Sequence, residues 1–257
     1  MTVLPASFAN AANPRAGEDG REPHFPRILL FDIDGTLIRT ARRGEYLGLI
    51  RQTLVEIFGS CGRISEVDFA GKTDLGIYKE AFESEGVDLA SILSRLPDIE
   101  EGMSRIIDQM AVGGAVYHLC SGVRELLEAL GTDSRFIPSL LTGNLERLAE
   151  VKLRHAGIWR YFRGRGAFGD ESVERDHLPE IAARRFSELL GTNLAPTRFV
   201  IIGDTPRDIS CARYFGARVV AVASGKHSVG ELSECNPDAV LPDLSVTGDV
   251  IDLLARI

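Results

Sequence analysis

Four apolar runs, each closing on polar residues, punctuate the chain: "RILLFDI" (27–33), "FIPSLLTG" (136–143), "RFVIIGD" (198–204) and "ARVVAVAS" (217–224). Runs of this length without polar alternation suit strands buried on both faces, which is the situation in a parallel sheet. "AFGD" (167–170) and "DAVLPD" (238–243) are shorter candidates of the same kind. Helical periodicity fills the intervals at Val123–Leu130, 144–156, Leu178–Leu190 and Ile209–Phe215. Alternation of this kind predicts an α/β fold, a Rossmann-like open parallel sheet with helices on both faces.

One stretch breaks the alternation. From Gly44 to Tyr117 the patterns "EYLGLIRQTLVEIF", "TDLGIYKEAFESEG" and "DIEEGMSRIIDQMA" are helical and separated by Gly and Pro signals, with no convincing strand. The expected organisation is therefore a Rossmann-like core from 25–43 and 118–257, with an inserted all-helical cap at 44–117. Residues 1–24 are rich in Ala, Gly, Pro and Asn and lack periodicity. A disordered tail is expected there rather than a signal peptide, which needs a basic start and a sustained apolar stretch.

The 257 residues suffice for one large α/β domain, or for a core with a smaller insertion. A formal net charge of -8 argues against nucleic acid or an anionic membrane as the main partner. No apolar run approaches the roughly 20 residues of a membrane span. The four cysteines form no CxxC pair and the five histidines show no metal-ligand spacing, which suits a reducing cytoplasm and disfavours zinc. A small-molecule partner is expected instead, and a monomer or homodimer as the state.

Ligands of open α/β sheets bind beyond the carboxyl ends of the strands. The first run ends with Asp32 and Asp34 one residue apart, followed by Gly35. The second ends in Thr142, Gly143 and Asn144, and the third delivers Asp204, then Asp208 on the next helix. Singly, each could be a solvated turn or a helix cap. Together, carboxylates converging on one mouth repel one another unless a cation sits among them, and hard oxygen ligands select Mg²⁺.

"FDIDGTL", "LLTGN" and "VIIGDTPRDISCA" resemble the first, second and fourth motifs of the haloacid dehalogenase superfamily, in its phosphatase branch. The similarity runs from about Arg27 to Asp243 and looks closest to phosphoglycolate-phosphatase-like proteins with a helical cap. It implies that Asp32 is the nucleophile, forming an aspartyl-phosphate, and that Asp34 is the general acid and then base. It implies Mg²⁺ held by Asp32, the backbone carbonyl of Asp34 and Asp204, with Asp208 acting through a water or positioning its neighbours. The Thr142 hydroxyl and the N–H groups of Gly35 and Gly143 would cradle the phosphoryl oxygens, with help from Asn144. A dehalogenase would lack the second aspartate, and phosphonate-cleaving relatives usually replace it. A phosphomutase of the β-phosphoglucomutase type shares every motif. A silent binding protein on this fold would have lost the nucleophile or a metal ligand, and none is lost.

The third motif departs from the family. Many relatives carry a Lys-Pro pair shortly before the fourth motif's strand, where this chain reads "SVERDHLPEIA" with Arg175 at the lysine's place. Lys152 is the only lysine between Thr142 and Asp204, on the apolar face of its helix with Leu145, Leu148 and Ala149. It is expected to supply the site's positive charge, in reach of Asp32 or Asp204. The alternative is a lysine snorkelling past Leu148 to solvent. In the helical block Lys72, Thr73 and Asp74 form a polar break between glycines. They are expected to contact the substrate's leaving group, or to be a helix start capped by Thr73 or Asp74.

Overall fold

The computed structural model describes residues 26–41, 43–162 and 164–257. The expected tail at 1–24 lies outside them. Six strands, β1 (Arg27–Phe31), β4 (Phe136–Leu141), β5 (Gly166–Ala167), β6 (Phe199–Gly203), β7 (Arg218–Val222) and β8 (Ala239–Leu241), form one sheet. Its order is β5-β4-β1-β6-β7-β8, with every pair parallel. Along β1, Leu29 and Phe31 enter the hydrophobic cluster on one face while Ile28 and Leu30 enter that on the other. Fully burying each such side chain contributes roughly 1.5–3 kcal/mol, and this two-sided burial is why the run carries no polar alternation.

The helices α4 (Val123–Leu130), α5 (Glu146–His155), α6 (Leu178–Leu190), α7 (Pro206–Phe215), α8 (Val229–Glu234) and α9 (Thr247–Arg256) flank the sheet. α7 starts where it does for a local reason. Thr205 and Asp208 close a capping box, Pro206 occupies the first turn, and Gly216 at φ 84° ends the helix.

Between β1 and β4 lie α1 (Arg43–Phe58), α2 (Asp74–Phe82) and α3 (Leu89–Val112). They enclose their own apolar cluster around Leu54, Phe82, Ile99 and Met103, into which Leu145, just before α5, and Leu148 within it also insert. The chain enters and leaves this block through two three-residue strands, β2 (Ile38–Thr40) and β3 (Tyr117–Leu119), paired antiparallel as Ile38↔Leu119, Arg39↔His118 and Thr40↔Tyr117. Tyr117, expected to close the helical block, is instead a strand residue of this ribbon. Among the described residues no helix is long and apolar enough to cross a membrane.

Candidate active site

β1 and β6 are neighbours, so Asp32 and Asp204, each one residue past its strand, emerge side by side, and the first turn of α7 adds Asp208. One carboxylate oxygen from each lies within 4.8 Å of the others, and all three residues are buried. Thr36 Oγ1 donates to Asp204 Oδ1 at 3.1 Å. Asp208 Oδ2 accepts from the Thr205 N–H at 3.0 Å and its hydroxyl at 2.6 Å. Backbone presses closely on Asp204. A Cβ at Gly35, whose φ is +100°, would sit 2.4 Å from Asp204 Oδ2, and one at Gly225 would sit 1.7 Å from it.

Crowding and burial make these carboxyls hard to ionise. Burial, then the nearby Asp32 and Asp208, pushes Asp204 up to about 8. Asp32 is pushed up to about 7, by burial first; Arg175 opposes the rise, while Asp208 and Asp34 add to it. The donor set is oxygen only, with neither thiolate nor imidazole in the cluster. That chemistry fits a hard divalent cation.

The cation that touches Asp32 is Arg175. Its Nη2 donates to Asp32 Oδ1 at 3.0 Å, Asp208 Oδ1 at 2.5 Å and the Leu141 carbonyl at 3.4 Å. Burial works to lower its pKa, but Asp208 and Asp32 outweigh it and raise the value. Lys152 does turn inward and is only 4% exposed. However, its Nζ donates to Asp34 Oδ2 at 2.7 Å and Asn144 Oδ1 at 2.5 Å, and it pairs with neither Asp32 nor Asp204. The expected reach of Lys152 is therefore corrected: α5 leaves the neighbouring strand β4, and its inward face meets the Asp34 side of the mouth.

Around Asp34 the bonds converge on one oxygen. Asn144 Nδ2 donates to Asp34 Oδ2 at 2.8 Å and to Thr142 Oγ1 at 2.7 Å. Both ends of the Asn144 amide are thus used within the chain, so it braces Asp34 and Lys152 instead of presenting a free donor. The expected Gly35 donor is also corrected, because its N–H closes a turn onto the Ile38 carbonyl at 2.8 Å. Thr142 Oγ1 accepts from the backbone and side chain of Asn144, which leaves its own proton to donate.

In the helical block, Thr73 is the N-cap of α2: its hydroxyl accepts from the Gly76 N–H at 3.0 Å and donates to the Val173 carbonyl at 2.7 Å. Asp74 is tied to the core. Its N–H donates to the Gly143 carbonyl at 2.6 Å, and its Oδ2 accepts the Leu145 N–H at 3.0 Å. Lys72 pairs with Glu80, while its carbonyl packs so near Gly143 that a Cβ there would lie 1.9 Å away. Lys72 lines a cavity of about 430 Å³ with Gly71, Glu80, Arg175 and Arg207. The three residues thus do different things, and the helix-start reading holds for Thr73.

A family model described as HAD-hydrolase-like matches residues 176–247. Phosphoglycolate phosphatase of Pseudomonas putida is 23% identical over 221 residues, spanning 86% of this chain and 78% of that protein. The chain is thus similar to hydrolases of the haloacid dehalogenase superfamily. Solved structures share the fold. A predicted phosphatase from Clostridium acetobutylicum superposes with a TM-score of 0.61 at 17% identity, covering 88% of this chain and 99% of that one. A candidate beta-phosphoglucomutase from Thermotoga maritima gives 0.54 at 22%, covering 89% and 99%.

Several residues of this site carry no mark in the sequence reading. Thr36 and Gly225 both press on Asp204, and Ser224 donates to the Gly35 carbonyl at 2.8 Å. Ser224 and Gly225 stand at the end of the β7 run, where the strand-end rule that found the aspartates would have found them too.

Proposed function

We propose that the chain is a phosphoric monoester hydrolase which, with Mg²⁺, cleaves a small phosphorylated metabolite in the cytoplasm. The convergence of the Asp32, Asp204 and Asp208 oxygens within 4.8 Å, beside Asp34, carries this reading. Asp32 Oδ1 is bonded to Arg175, so Oδ2 is the oxygen left to attack phosphorus. A new Asp32 Oδ2–phosphorus bond forms, giving an acyl phosphate, while the substrate's ester P–O bond breaks and Asp34 gives its proton to the departing alkoxide. Asp34, now a carboxylate, takes a proton from water as that water attacks phosphorus, freeing Asp32 and inorganic phosphate. The Thr142 hydroxyl proton and the Gly143 N–H would hold phosphoryl oxygens. Mg²⁺, held by Asp32, the Asp34 carbonyl and Asp204, would shield the phosphate's charge from the attacking carboxylate. The helical block acts as a cap over this mouth and sets substrate choice, with Lys72 as the substrate contact.

A screen of phosphate esters for released phosphate tests the reading; turnover that persists undiminished in excess chelator overturns the metal assignment. Gly225→Ala is expected to raise the Mg²⁺ concentration for half-maximal turnover by about 10–100-fold, because the added methyl displaces Asp204. The mutase alternative draws on the Thermotoga neighbour. It requires a sugar phosphate to be isomerised without phosphate release.

Mg²⁺ should also reveal itself in melting curves. The Asp32 and Asp204 carboxyls sit near 7 and 8 in the folded protein against 3.8 ordinarily. The metal-free fold therefore retains protons that the unfolded chain has lost, and loses stability as pH rises through those values. Cation binding requires those protons to leave. The Tm gain from Mg²⁺ is expected to grow between about pH 6 and about pH 9, and a gain independent of pH would count against this site.

A further inference from the structure

Tyr46 lies on α1 in the helical block, and the reaction above makes no use of it. The Lys152 ammonium rests over its ring, 5.4 Å from the centroid. Two bonds, to Asp34 Oδ2 and Asn144 Oδ1, occupy two of the three ammonium protons. The negative face of the ring receives part of the remainder. Tyr117 of β3 and Asp74 of α2 also act on this ammonium electrostatically. Lys152 is thereby held between the core, which supplies Asp34 and Asn144, and the block, which supplies Tyr46.

What Lys152 holds matters. Its bond and that of Asn144 both end on Oδ2 of Asp34, while Oδ1 accepts no bond from the described residues. The Asp34 side chain is 41% exposed, so little else constrains it. One oxygen is tied down and the other is presented to the mouth. We propose that Tyr46 is a positioning residue: by seating Lys152 it fixes the orientation of Asp34, so the placement of the helical block governs proton transfer at Oδ1. This rests on the hydrolase reading above.

The test uses leaving groups. A poor leaving group such as the alkoxide of 2-phosphoglycolate needs the proton of Asp34, whereas the phenolate of 4-nitrophenyl phosphate departs without it. Tyr46→Leu is expected to lower kcat about tenfold on 2-phosphoglycolate and less than about twofold on 4-nitrophenyl phosphate. Tyr46→Phe keeps the ring and should resemble wild type on both. In a Lys152→Met background, Tyr46→Leu should add no further discrimination. Should the leucine variant lose its thermal transition, Tyr46→Met takes its place under the same criteria. Equal losses on both esters, a phenylalanine variant as impaired as leucine, or an undiminished Tyr46 effect without Lys152 would each overturn the proposal. Wild-type protein inactive on every ester would remove the hydrolase reading and the proposal with it; active wild type with uniform Tyr46 losses would remove the proposal alone.

Discussion

Replacing Asp32 by asparagine is expected to leave a folded protein whose turnover is lowered by about 10⁴-fold or more. An amide retains an oxygen for Arg175 to bond, so the packing around residue 32 survives, but it has no carboxylate to attack phosphorus. Stability should move the other way. Asp32 is held near 7 by burial and by its carboxylate neighbours, against the pull of Arg175. Above that pH the folded state must accommodate a charge that the unfolded chain carries freely, so stability is lost as pH rises. Removing the charge should leave the metal-free Tm at about pH 8 unchanged or higher. Wild-type turnover in this variant would remove Asp32 from the mechanism, and an unfolded variant would show that its charge holds Arg175 in place.

The second large effect separates the two buried cations. Arg175→Met deprives both Asp32 and Asp208 of their ion-pair partner. Breaking a buried pair from one side typically costs about 3–5 kcal/mol, so this variant should lose stability and turnover together. Lys152→Met deprives Asp34, whose side chain is open enough to be solvated. Its stability should change little, because methionine fills the lysine's apolar stem. Its turnover should fall by about 10²–10³, the usual loss for a donor that supports transition-state charge. Melting curves and kcat for the two variants settle the matter: a mild Arg175 variant beside a crippled Lys152 variant would restore the third-motif role to Lys152. That is the order expected from sequence, whereas the contact of Arg175 with Asp32 leads us to expect both variants to lose turnover and Arg175→Met alone to lose stability.

The different placement of the two cations has a physical reason. Helical phase showed that Lys152 points inward, because Leu145, Leu148 and Ala149 mark the buried side of α5. Phase fixes a direction and not an endpoint, and the lysine stops at Asp34. Arg175 begins a single 3₁₀ turn, Arg175–His177, where no periodicity exists to reveal which way a side chain points. The strand-end aspartates were legible because a buried parallel strand announces itself and its carboxyl end is chemically special. The β2–β3 ribbon was not, since three residues are too few for alternation to register. That ribbon turn also consumes the Gly35 N–H, which could not be foreseen without it. The capping by Thr73 was foreseen as one of two roles, but the use of Asp74 to bind the Leu145 backbone was not.

That last contact bears on how such proteins could be recombined. Asp74 gives its N–H to the Gly143 carbonyl and takes the Leu145 N–H, and Leu145 and Leu148 are buried in the block's own apolar cluster. The start of α5 is thus finished by residues from the insertion. A core from which 44–116 had been excised would expose two leucines and leave a buried N–H without its acceptor. Grafting the helices of a relative into this chain would require the 143–148 segment to travel with them. The insertion is separate in sequence, yet its boundary in space runs through the first turn of a core helix.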